Sequence, residues 1–333
     1  MKTRSRHPHD SLQTALRCAF PLDGRRLEVL TALILAMVQA RSVVLYTLKT
    51  HVHLPGSFDT RYQRLRRFVR FEFPDHFFVR FALFSLPDGE LNLILDRTNW
   101  KLGKQDVNIL LLSAVWDSFS LPLVWALLPH GGSSSHQERF AHLLRFVRCC
   151  SERHIGSLLA DREFIGKSWF TFLDQHGIAP CIRLPATATI GTGKLPVSYG
   201  VSSRLCATKN TADEVLYLAY RGYASVNLRR YAQRWQAENL HSALKTRGFN
   251  LEDTGLTQAE RVSTVLTCVS AAFIWAYVTC QVLAAKQPVK RKEDGYRAVS
   301  VFRLGLDHLQ DLLLHPSLSS WRALQALMPS FDW

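Results

Sequence analysis

Along this chain the spacing of apolar positions changes twice. Up to about residue 90 it is helical. Leu27 to Val38 is an apolar, helix-prone run, and a second apolar stretch spans Ser42 to Leu48. Asp59 to Arg70 (DTRYQRLRRFVR) sets Arg61, Arg64, Arg66, Arg67 and Arg70 around Tyr62, Leu65, Phe68 and Val69, which predicts an amphipathic helix with a basic face. From residue 91 the runs shorten and become β-like. LNLILD predicts a buried strand ending in Asp96, and VNILLLSAVW (107–116) and SLPLVWALLP (120–129) predict two more, in an antiparallel meander. A polar GGSSS loop then leads into a helix over about 136–150. HIGSLLAD (154–161) predicts a strand ending in Asp161, followed by a helix near 167–176 and the strand IAPCIRL. Residues 185–228 are rich in Gly, Thr, Ser and Pro and predict a small β-rich insertion with short strands at TATIGTG and EVLYLAYRG. Helical spacing returns near residue 229.

The divisions expected are a helical DNA-binding region over 1–90, a mixed-sheet core beginning at 91–184, the insertion at 185–228, and a further helix with a helical C-terminal region over 229–333. The fold class is α/β, and sites in such sheets tend to sit beyond the strand ends. One uncharged run, Val262 to Ala285, is long enough to span a bilayer. Its recurring Ser, Thr and Gln instead predict a buried helix packed behind the sheet. No membrane partner is expected.

Composition adds a partner class. The chain of 333 residues carries a formal net charge of +14, which points to a polyanion, nucleic acid or anionic membrane. Seven cysteines without regular spacing fit neither a zinc site nor a disulfide framework and read as reduced thiols. The basic N-terminus has only a short, broken apolar run, so no signal peptide is read there and a cytoplasmic, nucleoid-associated location is expected.

The chemistry concentrates in YAQRWQAENLHSALKTRGFN, where Tyr231, Arg234, Glu238 and Lys245 are offset by 3, 7 and 14 residues. On one continuous helix these four fall within an arc of roughly 60°. Spacing alone leaves two readings open, a solvated helix face with i,i+4 charge pairs or a site. With Asp96 and Asp161 at strand ends, Glu238 completes a set of three acids. Such oxygen donors suit Mg²⁺ or Mn²⁺, and two ions would serve an in-line phosphodiester displacement. Glu163 is a competing acid, expected either to pair with Arg162 or to assist the site.

Four ordered blocks resemble a family. Tyr-x2-Arg-x3-Glu-x6-Lys is the signature of DDE transposases of bacterial insertion sequences of the insertion sequence 4 type. ILDRTNWKLGK (94–104), LLADREFIG (158–166) and KEDGYRAVSVFRLGLDHL (292–309) resemble the family's other blocks. The resemblance implies an RNase H-like core interrupted by the β-rich insertion. It implies Asp96, Asp161 and Glu238 as ligands of Mg²⁺ or Mn²⁺, two ions in all, and Tyr231, Arg234 and Lys245 as contacts to the DNA backbone. Arg162, Arg64 and Arg67 are further candidates for DNA contact. The implied activity is cleavage at the terminal inverted repeats of an element and joining of its 3′ ends to target DNA, within a homodimer. The alternative is a catalytically silent DNA-binding descendant. Relatives that form a hairpin stack a flipped base on a tryptophan of the insertion. No Trp occurs here between Trp169 and Trp235, which leaves Tyr199, Tyr217, Tyr220 and Tyr223 as the insertion's aromatics.

Overall fold

A computed structural model of the chain describes residues 8–102, 104–116, 119–150, 153–185, 204–209, 215–221, 223–286, 293 and 299–327. The expected strand TATIGTG, Tyr199, Asp117 and most of the 292–299 segment lie outside these residues. The elements in chain order begin with α1 (Pro8–Ala19), α2 (Gly24–Ala40), α3 (Leu45–Leu48), α4 (Phe58–Phe68) and α5 (Asp75–Phe84). There follow β1 (Leu91–Leu102), β2 (Gln105–Trp116), β3 (Phe119–Leu128), α6 (His136–Cys149), β4 (Ile155–Ala160), α7 (Lys167–Gln175), β5 (Ala179–Leu184), β6 (Arg204–Lys209) and β7 (Val215–Tyr220). The chain continues through α8 (Ala224–Ala232), α9 (Trp235–Leu244), α10 (Ala259–Lys286), α11 (Val301–Leu314) and α12 (Leu318–Ala326). Two compact units result, one of Met1–Ser85 with Ser242–Trp333 and one of Leu86–His241.

The first unit is helical among its described residues. α2 is its inner N-terminal helix, buried from Leu27 through Val38 except at Glu28, and it packs against α1, α4, α10 and α11. Asp23 caps α2 by accepting the Arg26 backbone N–H, and Ser57 caps α4 by accepting that of Thr60. α10 is the uncharged run. It is long and apolar enough to cross a membrane by length and composition, and most of its apolar window is buried inside the protein. It packs on α2, α5 and α11 within its own unit. The closest approach is at Gly305 of α11, where an added Cβ would lie 1.8 Å from the Ala276 carbonyl oxygen of α10.

The second unit is a mixed sheet with helices, an α/β arrangement. Its seven strands run in the order β3-β2-β1-β4-β5-β7-β6. β1, β2 and β3 form the expected antiparallel meander, while β4 pairs parallel to β1 and β5 parallel to β4. The helices α6 and α7 make the crossovers that parallel neighbours require. β2 is buried at eight successive positions, as expected of an inner strand covered on both faces. β3 is the edge and tolerates Pro122, whose missing N–H falls at a register shift against Ser113. At the far side β7 pairs antiparallel with β5, and β6 pairs with β7. The described strands of the insertion therefore extend the main sheet.

Face alternation fixes what the sheet presents. Ile94 of β1, Leu159 of β4, Cys181 of β5 and Leu218 of β7 form one buried cluster with Ala237 of α9, and Leu228 and Tyr231 of α8 pack against it. The helix pair α8/α9 thus lies on this face of the sheet. Two polar ties hold it there: the Ser120 hydroxyl donates to the Gln236 carbonyl at 3.0 Å, and the Cys181 thiol to that of Asn227 at 3.4 Å.

Candidate active site

Side chains two residues apart on a strand share a face. Asp96 therefore points with Ile94, and Asp161 follows Leu159, toward the α8/α9 side. The β1/β4 register pairs Leu95 with Ala160, so Asp96 and Asp161 come next, side by side. Asp96 is not a strand end, as LNLILD had implied, because β1 continues to Leu102. β4 stops at Ala160 instead, so Asp96 keeps β2 on one edge and loses β4 on the other. The open edge is what frees its carboxylate.

The two aspartates are held alike. Asp96 Oδ1 accepts the backbone N–H of Arg97 at 2.9 Å, and Asp161 Oδ1 accepts that of Arg162 at 2.7 Å. Asp96 Oδ2 faces two further groups, Arg234 Nη1 at 3.8 Å and His241 Nε2 at 3.4 Å. Burial pushes the Asp96 carboxyl up, but the His241 ring, the Arg234 charge and the Arg97 N–H together hold it below its ordinary value. His241 is buried, and neither ring nitrogen makes a hydrogen bond of good geometry, so it stands near Asp96 as a contact only.

Arg234 joins the third acid to this group. Its Nη1 lies 3.7 Å from Glu238 Oε1 and 3.8 Å from Asp96 Oδ2, with the arginine side chain only 15 % exposed. Burial lowers the guanidinium's pKa, but Tyr231, Asp96, Asp161 and Glu238 outweigh it and the net shift is upward. The Tyr231 hydroxyl is pushed up to about 12, first by burial and further by the Asp161 carboxylate, against the opposing Arg234 charge. Tyr231 is thus a neutral phenol and a donor near neutral pH.

The signature residues do not lie on one helix. Tyr231 sits in the last turn of α8, Arg234 between the helices, and Glu238 in the first turn of α9. Lys245 follows the end of α9 in the helical unit, where its ammonium pairs with Glu252 at 3.0 Å. The basic residues of α4 belong to that unit too: Arg64 pairs with Glu28 at 2.9 Å and Arg67 is exposed. Arg162 is exposed beside Asp161. Glu163 pairs neither with Arg162 nor with the acids. Both its oxygens accept Arg97 Nε, at 3.1 and 3.2 Å, and one also takes the Ser134 backbone N–H. Arg97 in turn donates to Asn108, which donates to the His130 and Gly132 carbonyls. Glu163 therefore braces the strand after Asp96. His241 is the residue the sequence reading missed, and the signal was present as Glu-x2-His, one turn beyond Glu238.

As donors, three carboxylates suit a hard divalent cation. Among the described residues no group of three His, Cys, Asp or Glu is gathered closely enough to hold one. The reason is visible in the geometry, since Arg234 contacts both Asp96 and Glu238. The donor chemistry fits a metal, with the guanidinium standing where the acids would converge.

The family model described as "Transposase DDE domain" matches residues 87–275, more than half of the chain. A search of the curated proteins finds no match. Among solved structures the chain resembles one titled "Cryo-EM structure of piggyBac transposase synaptic complex with hairpin DNA", at 11% identity and a TM-score of 0.43, over 97% of this chain and 83% of that one. A score that low carries no argument. The family match stands without it, and this chain belongs to the DDE-domain transposases.

Proposed function

We propose that the chain is an insertion-sequence transposase of the insertion sequence 4 type. It binds the terminal inverted repeats of its element as a homodimer, cleaves DNA strands there, and joins the 3′ ends to target DNA. One observation carries the proposal: parallel β1 and β4 set Asp96 and Asp161 side by side beneath the helix pair that brings Glu238 to Asp96 through Arg234. The strand order β3-β2-β1-β4-β5, with a three-stranded meander and two parallel strands beyond it, supports an RNase H-like core. The proposed location, with the bacterial nucleoid, follows from the same reading.

When bound, two Mg²⁺ or Mn²⁺ ions supply activation of the attacking oxygen and stabilisation of the leaving oxygen. The chain's own residues do the rest. The Arg97 and Arg162 backbone N–H groups fix one oxygen of each aspartate, which leaves the other available to a ligand. Arg234 is the counter-ion of Asp96 and Glu238 in the DNA-free chain. A backbone phosphate draws the guanidinium away through charge-assisted bonds and frees the Asp96 and Glu238 carboxylate oxygens for a cation. Tyr231, a neutral phenol, donates to the same strand, and Arg162 adds a cationic contact along it.

The test is metal-dependent cleavage of a duplex carrying the element's own ends. Asp96→Ala, Asp161→Ala and Glu238→Ala are each expected to abolish cleavage while end binding stays within a few-fold of wild type. Normal cleavage by any one variant removes that acid from the site. End binding by the unaltered chain with no cleavage under Mg²⁺ or Mn²⁺ favours a silent descendant.

A further inference from the structure

The strongest unassigned feature lies in the helical unit. The start of α2, the C-terminal half of α4 and the turn after it border an open hollow of about 440 Å³ lined by Arg25, Arg26, Arg64, Arg67 and Arg70 together with Phe71 and other apolar groups. Five guanidinium groups around one small hollow repel each other, so the fold must offset them or leave them for a ligand. Two are offset. Arg26 pairs with Asp23 at 2.7 Å and lies 4.7 Å from the centre of the Phe71 ring, and Arg64 pairs with Glu28 at 2.9 Å. Arg25, Arg67 and Arg70 have no carboxylate opposite them among the described residues, and all three are exposed. A second hollow, bordered by Asp23 to Arg26, shares Arg25 and Arg26 and extends the cationic surface past the start of α2.

We infer that the first hollow is a phosphate-binding site that clamps the backbone of duplex DNA without reading its sequence. The inference rests on the proposed transposase reading for the kind of polyanion. The geometry decides how it is held. Reading bases requires side chains that project into a groove roughly 12 Å wide. Here the guanidinium heads line a hollow, and two are tied back by carboxylates. A concave surface meets the convex part of a duplex, its phosphates. Planar guanidinium forks match phosphate oxygens. The basic face of α4 therefore positions DNA, and base recognition lies elsewhere.

Counterion release gives the test its readout, because each phosphate contact contributes about 0.9 to the slope of log K against log salt. Binding of the full chain to two 30-bp duplexes of unrelated sequence is measured in EDTA, so that no cleavage intervenes, across a salt series. Arg25→Ala/Arg70→Ala is expected to weaken binding of both duplexes by the same factor, roughly tenfold, and to lower the slope by about 2. Arg25→Lys/Arg70→Lys, which keeps the charges, should retain the wild-type slope. An unchanged slope in the alanine pair, a loss confined to one duplex, or a lysine pair as impaired as the alanine pair overturns the site and leaves the transposase reading intact. Failure of the unaltered chain to bind either duplex overturns both.

Discussion

Arg234 carries two roles that compete for one guanidinium. Its Nη1 contacts Asp96 at 3.8 Å and Glu238 at 3.7 Å, so it offsets acids whose mutual repulsion would otherwise be unopposed. Carboxylates drawn to within ~4 Å repel by about 4 kcal/mol at an effective dielectric near 20. Removing the arginine should therefore help a divalent ion as it harms DNA binding. Arg234→Ala is expected to raise the Mn²⁺ affinity of the DNA-free chain by about threefold to tenfold, on the order of 1 kcal/mol, as read by calorimetry. Unchanged or weaker affinity would count against the counter-ion role. Tyr231 gives a second residue-level prediction. Its phenol titrates at about 12 in the folded chain and near 10 when unfolded. Between those values the unfolded chain has lost this proton and the folded chain keeps it, so stability falls as pH rises through that window. In an ultraviolet titration of the folded chain, Tyr231→Phe should remove a step near pH 12 and leave the steps near pH 10. Loss of a pH 10 step would show that the hydroxyl is solvated. Asp96 and Asp161 stand out in the sequence by their places after apolar runs, and Glu238 by its spacing with Tyr231, Arg234 and Lys245. Arg234's pairing and His241's approach do not, because both depend on which strand lies beneath α9.

At the scale of elements, the break between α8 and α9 departs most from the sequence pattern. No Pro or Gly interrupts RYAQRWQAENL, and its composition is helix-prone throughout. Yet the backbone bonds from Gln233 to Arg230, Arg234 to Tyr231, Gln236 to Gln233 and Ala237 to Arg234 all reach back three residues, at 2.9–3.0 Å. The helix tightens there into 3₁₀ geometry, and a calculation at 100° per residue fails across it. Packing supplies the cause, since Tyr231 on one side and Ala237 on the other both seat against the same apolar cluster. β1 to β3 were readable because their buried runs are long. The destination of α10 was not, because an all-round apolar helix does not specify its neighbours. Its contact with α11 is open to test. Gly305→Ala would press a methyl into the Ala276 carbonyl and is expected to destabilise the helical unit by about 1–3 kcal/mol, seen as a lower midpoint in urea. A midpoint equal to wild type would mean that the two helices have room to part.

For the molecule as a whole, net charge and thiol burial give expectations that do not depend on the chemistry. A charge of +14 predicted a polyanionic partner, and the arginine hollow of the helical unit localises part of it. The cysteines behave as separate thiols in the fold. Cys18 is exposed, whereas burial pushes Cys181 up to about 12 and raises Cys268 as well. At pH 8 an alkylating reagent should label Cys18 within minutes and leave Cys181 and Cys268 unlabelled until denaturant is added, as mapped by peptide mass spectrometry. Early labelling of Cys181 would place this part of β5 in solvent. Asp96, Asp161 and Glu238, far apart in sequence, are proposed to serve one metal-binding centre on DNA. The most direct test is local backbone cleavage by Fe²⁺ with ascorbate and peroxide, performed on the full chain bound to a duplex of its own element's end. Cuts are expected to cluster near residues 96, 161 and 238, to be suppressed by excess Mg²⁺ and to be lost in Asp96→Ala. Cuts elsewhere, or the same cuts in Asp96→Ala, would contradict it.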